Sequence, residues 1–169
     1  MTAATDSARE QARALYDAAD FERSLAVATQ ALNDAPDDAE LLVLAGRAGI
    51  EVDDDAAVGH LRRATELAPD NASAWHHLGE ALAAEGDMPD AENAFQRAVE
   101  LDPDDQLALT HLGHAALASG RKEDGVAYLA RAADIAHTAH TASSASISLV
   151  DMYRSFGQYE DALRQARAR

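Results

Sequence analysis

Cysteine is absent from this sequence of 169 residues, and lysine occurs once, at Lys122. Without cysteine the chain has no disulfide scaffold, no thiolate zinc site and no cysteine nucleophile. Basic residues are also few, 14 against 30 acidic ones, which gives a formal net charge of -16. Because nucleic-acid binding and binding to an anionic membrane both need a basic surface, this charge balance argues against nucleic-acid and membrane partners.

Long apolar runs are missing as well. No segment reaches the roughly 18 consecutive apolar residues that a transmembrane helix needs, and Met1 to Glu10 lacks the basic start and apolar run of a signal peptide. The sequence therefore predicts a cytoplasmic protein. Thirteen arginines against one lysine, and 19 aspartates against 11 glutamates, are typical of a bacterial or archaeal source with a GC-rich genome or a salt-adapted cytoplasm.

Large apolar side chains are scarce, since Leu, Ile, Val and Phe together number 31, whereas alanine alone numbers 41. A composition of this kind with a high net charge favours disorder. The prediction of an ordered fold therefore depends on the periodicity of the sequence.

A repeated pattern supplies that periodicity, and its clearest unit spans residues 72–105. The unit has the spacing W-x2-L-G-x2-(Y/L), then A-x3-F-x2-A, then P, carried by Trp75, Leu78, Gly79, Leu82, Ala91, Phe95, Ala98 and Pro103. This pattern resembles the tetratricopeptide repeat (TPR), a 34-residue pair of antiparallel helices. The residue that is tyrosine in the TPR pattern is Leu82 here.

The same register continues in both directions along the chain. Gly79 recurs as Gly113, 34 residues later, and Pro103 recurs as Pro69 and Pro36 at intervals of 34 and 33 residues. We predict a single TPR domain over residues 1–169 with five units, at 5–38, 39–71, 72–105, 106–139 and 143–169, the last one truncated. The predicted fold is an all-α, right-handed helical solenoid of helix-turn-helix repeats. Between the fourth and fifth units His137 replaces the proline, which predicts a longer connection over residues 137–144.

Residue types at the predicted contacts and turns agree with this fold. Alanine is the best helix former and allows close packing of helices, so a solenoid can be ordered with few large side chains. Pro-Asp sequences place a helix breaker before N-cap residues, and Asp37 with Glu40 has the spacing of a capping box. Aspartates Asp20, Asp53 to Asp55 and Asp87 are predicted to do the same between the two helices of a unit.

The resemblance implies a non-enzymatic scaffold that binds a protein, as a peptide or a partner helix, in a concave groove lined by the first helix of each unit. No cofactor is expected. Projected onto this chain, the groove residues are Arg9, Arg13, Tyr16, Val43, Leu44, Arg47, Ile50, His76, His77, Glu80, Leu107, Thr110, His111, His114, Leu117, Ile147, Asp151 and Arg154.

One TPR subclass grips the carboxylate at the end of a chaperone tail with lysine, arginine and asparagine. The projected groove has no lysine and no asparagine, which disfavours that ligand. Its apolar members, such as Leu44, Ile50 and Leu107, suit an amphipathic helix or an extended hydrophobic segment, and the sequence does not decide between the two.

Histidines are concentrated in the projected groove. His77 and His111 occupy equivalent places in neighbouring units, as do Glu80 and His114, so the four could form the corners of one patch. Such a patch could hold a divalent metal or make binding sensitive to pH. Plain lining of the groove is the favoured interpretation, because no diagnostic metal-ligand motif is present.

Two other classes of function, catalysis and self-association, are alternatives to partner binding. The sequence has no glycine-rich phosphate loop, no G-x-S-x-G elbow and no H-E-x-x-H motif, so we do not expect an enzyme. Self-association is the stronger alternative, because the truncated last unit leaves the apolar side of Tyr153, Phe156, Tyr159 and Leu163 without a capping helix.

Overall fold

The computed structural model describes residues 3–138, which form eight α-helices and no strand. The helices are α1 (Ala3–Asp17), α2 (Phe21–Leu32), α3 (Ala39–Glu51), α4 (Ala57–Leu67), α5 (Ala72–Glu85), α6 (Met88–Leu101), α7 (Gln106–Ala118) and α8 (Lys122–Thr138). The chain forms two compact units: unit 1 ends at Leu101 and contains α1 to α6, and unit 2 begins at Asp102 and contains α7 and α8. The all-α fold class predicted from the sequence is confirmed.

Consecutive helices pack in pairs, α1 with α2, α3 with α4, α5 with α6 and α7 with α8. Glycine on the first helix of three pairs allows this close approach. A Cβ at Gly79 would lie 2.7 Å from the Phe95 ring, and a Cβ at Gly113 would lie 2.6 Å from the Leu129 side chain. These distances are below van der Waals contact, so the conserved spacing of the repeat reflects a packing requirement between paired helices.

The first pair meets the same requirement with different residues. Ala12 stands where the later pairs have glycine, and Ala28 stands where they have leucine or phenylalanine; both alanines are fully buried. The Ser24 hydroxyl, also buried, donates a hydrogen bond of 2.8 Å to the Ala12 carbonyl oxygen. A small residue on the second helix thus makes room for the Cβ that the first helix carries.

The turn inside each pair contains one residue in the left-handed conformation. These residues are Ala19 (φ 58°), Asp53 (φ 55°), Gly86 (φ 86°) and Gly120 (φ 79°). Glycine adopts this conformation without a steric penalty, whereas alanine and aspartate carry a Cβ that is unfavourable there. The turns of the first two pairs are therefore more strained than those of the last two.

The turns between pairs end in an N-cap. Asp38, Asn71 and Asp105 each accept a hydrogen bond from the backbone amide three residues later, at 3.1, 3.2 and 2.9 Å. The capping box predicted at Asp37 is wrong by one residue, because the Asp38 side chain is the cap and Asp37 instead pairs with Arg63.

The turns within pairs use aspartate less uniformly than we predicted. Asp20 precedes α2 but makes no side-chain cap hydrogen bond. The N-cap of α4 is Ala56, whose amide donates to Asp54 Oδ1 at 3.2 Å. Asp87 Oδ1 accepts a hydrogen bond of 3.4 Å from the Asp90 amide in the first turn of α6.

Helix α3 holds much of the core of unit 1. It packs against α1, α2, α4 and α5, and its residues from Leu41 to Gly46 are all buried. Helix α8 continues to Thr138, so the backbone of His137 is helical. The rest of the predicted 137–144 connection and the unit at 143–169 lie outside the described residues. The single domain over 1–169 and its repeat boundaries stay predictions. Within residues 3–138, none of the helices has the length and apolar character needed to span a membrane.

Candidate partner-binding surface

In unit 1, polar and apolar side chains from the three first helices form a continuous row, which we call the α1-α3-α5 surface. Helix α3 packs against both α1 and α5, so side chains at corresponding places on the three helices become neighbours. The surface consists of Arg13, Tyr16, Arg47, Ile50, Glu51, His77 and Glu80, all of them partly or largely exposed.

Tyr16 and Arg47 form the centre of this surface. The Arg47 Cζ atom lies 4.2 Å from the centroid of the Tyr16 ring, which is a cation–π contact. The edge of the Phe21 ring packs against Tyr16 with 5.2 Å between centroids, and the Tyr16 hydroxyl donates to Glu51 Oε1 at 3.4 Å. Burial and the neighbouring Glu51 carboxylate raise the pKa of Tyr16, although Arg47 opposes the shift. Tyr16 is therefore a neutral hydrogen-bond donor at physiological pH.

The Arg47 guanidinium also carries an unpaired hydrogen-bond donor. Its Nε atom is buried and finds no hydrogen-bond partner among the described residues. Buried donors are normally satisfied, because leaving one unpaired costs about 1–3 kcal/mol. The stack against Tyr16 holds the guanidinium in place, with this donor unpaired among the described residues.

On α5, two histidines converge on one glutamate. His77 Nδ1 lies 2.8 Å from Glu80 Oε2, and His76 Nε2 lies 3.4 Å from Glu80 Oε1. The two imidazole rings meet edge to face with 4.9 Å between centroids. The spacing explains the convergence, because residues three and four apart lie on one face of a helix.

The pKa values of this group are shifted by burial and by mutual contact. Burial, together with the charges of His76 and Arg47, lowers the pKa of His77 more than the hydrogen bond to Glu80 raises it. Burial alone would raise the pKa of Glu80, but its hydrogen bonds to His76 and His77 outweigh burial and lower it. At neutral pH the group therefore contains an ionised Glu80 carboxylate facing a neutral His77 imidazole.

An acidic cleft of about 260 Å³ adjoins the surface at Ile50. Its apolar lining comes from Ile50, Ala57, Val58, Ala81 and Ala84, and its acidic lining comes from Asp53, Asp54, Asp55 and Glu85. An apolar floor under a carboxylate rim suits the long stem and charged end of a lysine or arginine.

Four residues projected into the groove occupy other environments in the structure. Arg9 is 13% exposed and pairs with the Asp38 carboxylate, its Nε lying 3.1 Å from each oxygen, so it braces the N-cap of α3. Val43, Leu44 and His76 are buried, at 8%, 2% and 7% exposure. The projection of these three as exposed lining is corrected, because helices on several sides cover α3, and His76 lies against the Phe95 ring with 6.1 Å between centroids.

The remaining projected residues belong to unit 2 or lie outside the described residues. On α7, Leu107 is 55% exposed, His114 is exposed, and Thr110, His111 and Leu117 are half-buried. Leu117 packs where a Cβ on Gly125 of α8 would lie, 2.7 Å away. His111 and His114 are on α7 and His77 and Glu80 are on α5, so the four-residue patch stays a prediction. Ile147, Asp151 and Arg154, and the residues behind the self-association hypothesis, lie outside the described residues.

Glu51 was not predicted from the sequence as part of the surface. It follows Arg47 by four residues and lies on the same face of α3, so helical spacing was the available signal. His77 and Glu80 were predicted together, in a patch with His111 and His114, but His76, which has i, i+4 spacing to Glu80, was not included in that patch.

The fold is similar to that of MamA proteins. The crystal structure of MamA matches with a TM-score of 0.72 and 20% identity, over 79% of this chain and 79% of that chain. MamA 41-end from Desulfovibrio magneticus RS-1 matches with a TM-score of 0.71 and 20% identity, over 81% of this chain and 78% of that one. MamA of AMB-1, in its P212121 crystal form, matches with a TM-score of 0.68 and 24% identity, over 79% and 80%.

At the level of sequence, no curated protein matches this chain. A family model does match, over residues 41–168, and its description is Cilia and flagella-associated protein 70 middle TPR-like domain. The match covers most of the chain, and the TPR resemblance drawn from the repeat pattern is confirmed. The chain belongs to the family of the Cilia and flagella-associated protein 70 middle TPR-like domain.

Proposed function

We propose that this protein is a non-enzymatic interaction scaffold that binds a peptide segment or a partner helix on the α1-α3-α5 surface. The partly exposed Arg47 side chain, held against Tyr16 and carrying an unpaired Nε donor, is the observation that carries this proposal. Arginine and tyrosine are the residue types most often found at the energetic centre of protein interfaces. The partner is expected to place a carbonyl or carboxylate oxygen against Arg47.

The charges around Arg47 restrict the partner further. Arg13 is already paired with Glu40, and the surface also contains the carboxylates of Glu51 and Glu80. The cleft beside Ile50 adds further carboxylates next to this surface. A partner with one acceptor for Arg47 and a basic residue a few ångströms away, directed at the cleft, fits the arrangement best.

Peptides selected from a random display library against the untagged protein provide a direct test. Binding of the selected peptides is measured by fluorescence polarisation for the wild type and for the variants Arg47→Ala and Tyr16→Ala. We expect at least about a tenfold loss of affinity in each, equal to about 1.4 kcal/mol. The variant Arg47→Lys should fall in between, because an ammonium keeps the charge but lacks the planar guanidinium.

Arg97→Ala is the matched control. Arg97 is an exposed arginine on α6 that pairs with Glu100, three residues later on the same helix, at 2.9 Å. The selected peptides should bind this variant as they bind the wild type. Equal affinity for wild type, Arg47→Ala and Tyr16→Ala, or a loss confined to Arg97→Ala, would overturn the proposal.

A further inference from the structure

Three metal-ligand side chains share one turn of α5. The imidazole nitrogens of His76 and His77 and a carboxylate oxygen of Glu80 all lie within 4.8 Å of one another. Two nitrogen donors and one oxygen donor form a set that suits zinc and similar divalent ions, whereas magnesium and calcium prefer oxygen donors.

The distances are close to those of a ligand set around one ion. Zinc binds imidazole nitrogen and carboxylate oxygen at about 2.0–2.2 Å, which places tetrahedral donors roughly 3.4 Å apart. His77 Nδ1 lies 2.8 Å from Glu80 Oε2, and His76 Nε2 lies 3.4 Å from Oε1, the other oxygen of the same carboxylate. The remaining pair of donors needs to close by about 1 Å from its limit of 4.8 Å, a shift that side-chain rotation can supply.

The surroundings support the site on one side and leave it open on the other. His76 is buried and its ring is held against the Phe95 ring, so its orientation is fixed by packing. The side chains of His77 and Glu80 are 17% and 31% exposed, which gives an ion a path from solvent. Both imidazoles already direct a nitrogen at the carboxylate.

We propose that His76 Nε2, His77 Nδ1 and the Glu80 carboxylate bind one zinc-like divalent ion. Three protein ligands leave a fourth position for water or for a donor from another molecule. The site stands on α5 alone and does not depend on the partner-binding function proposed above.

Calorimetric titration of the protein, without a histidine tag, with zinc chloride tests the site. We expect saturable binding of one zinc ion per chain, and visible absorption bands of a four-coordinate site when cobalt(II) is the probe. Glu80→Gln, which preserves the size of the side chain, and His77→Ala should each weaken zinc binding by at least about 100-fold. Circular dichroism confirms that each variant is folded.

Two control variants locate the ion. His60→Ala removes a histidine of α4, and His111→Ala/His114→Ala removes both histidines of α7; zinc binding should be unchanged in each. Absence of saturable zinc binding by the wild type would overturn the proposal. So would binding that survives Glu80→Gln and His77→Ala, or binding that the α7 double variant abolishes.

Discussion

Helices α5 and α7 occupy the same place in successive repeats, yet their surfaces differ in chemistry. Each begins after an Asx N-cap, and each carries a glycine that meets a large side chain on the next helix. At the places of His76 and Glu80, however, α7 has Thr110 and His114. The Thr110 hydroxyl bonds to the Gln106 carbonyl of its own helix at 2.8 Å, and His111 has no carboxylate three residues later.

In these two helices, the residues that fix helix pairing are different from those that determine the chemistry of the exposed face. A few small and capping residues fix how the helices pair, and they recur at nearly constant spacing. The side chains on the exposed face of the first helix are free to change from one repeat to the next. We therefore expect function to be local to particular repeats, while stability is distributed over all of them.

The largest effect is expected from converting α7 into a copy of α5. The double variant Thr110→His/His114→Glu places the same three residue types at the same spacing. If the three ligands on one helical turn are sufficient, zinc titration should change from one ion per chain to two. An unchanged stoichiometry of one, in a variant that remains helical, would show that the convergence in α5 depends on more than the three residue types.

The next largest effect is expected at the glycine that α5 and α7 share, which lies against a large side chain of the following helix. Gly79→Ala and Gly113→Ala should each lower the free energy of unfolding by about 2 kcal/mol, because the added Cβ overlaps Phe95 or Leu129. Gly59→Ala on α4 is the control, since a Cβ there meets no atom within 4 Å; it should stabilise by about 0.5–1 kcal/mol. Urea unfolding measures all three, and equal stability of Gly79→Ala and Gly59→Ala would refute the packing role.

A smaller effect is expected at Asp38, the charged N-cap of α3. Burial raises the pKa of Asp38, but hydrogen bonds from Arg9 and the Leu41 amide outweigh burial and lower it below the ordinary 3.8. A lowered pKa in the folded state contributes stability that is present above pH 3.8 and is lost as the pH falls through the folded-state pKa. The neutral cap Asn71 of α5 has no such dependence.

The effect of removing the Asp38 charge should therefore depend on pH. At pH 7, Asp38→Asn should lower the unfolding free energy by about 1–2 kcal/mol, because the charge-assisted bonds to Arg9 become weaker. The difference from the wild type should shrink as the pH falls below 3.8. A difference that stays constant from pH 7 to pH 3 would contradict the role of the Asp38 charge.

The smallest effect concerns the turns that lack glycine. Ala19 adopts φ 58° in the turn after α1, whereas the turns after α5 and α7 have Gly86 and Gly120 in this conformation. Ala19→Gly should raise the free energy of unfolding by about 0.5–1 kcal/mol, since the left-handed conformation disfavours a Cβ. Gly86→Ala should lower it by a similar amount. Thermal unfolding resolves the pair, and a destabilised Ala19→Gly would mean that chain entropy outweighs the relief of strain.

The fold could be predicted because the repeat depends on spacing. Gly79, Phe95 and Pro103 mark contacts and turns whose physical causes are local, and between residues 3 and 138 the structure places a helix pair wherever the pattern recurs. The caps were predicted less accurately, because adjacent aspartates such as Asp37 and Asp38 satisfy the same rule and only the backbone geometry selects one of them.

The candidate site was harder to predict, because exposure depends on the neighbours of each helix. Val43 and Leu44 share the helical face of Arg47, but α3 is covered by several helices and both are buried. Arg9 was expected to face a partner, yet it pairs with the Asp38 carboxylate, a contact that the sequence pattern does not show. The contact between Arg9 and Asp38 joins residues 29 positions apart, so it produces no periodic pattern in the sequence.

Nuclear magnetic resonance of the Arg47 side chain tests the proposed surface most directly. The Nε–H group has no hydrogen-bond partner among the described residues, so its resonance reports the arrival of an acceptor. On addition of a selected peptide, the Arg47 Nε–H signal should shift and its exchange with water should slow, while the Arg97 signal on α6 remains unchanged. A peptide that binds and shifts the Arg97 signal, but leaves Arg47 as it was, would contradict partner binding on the α1-α3-α5 surface.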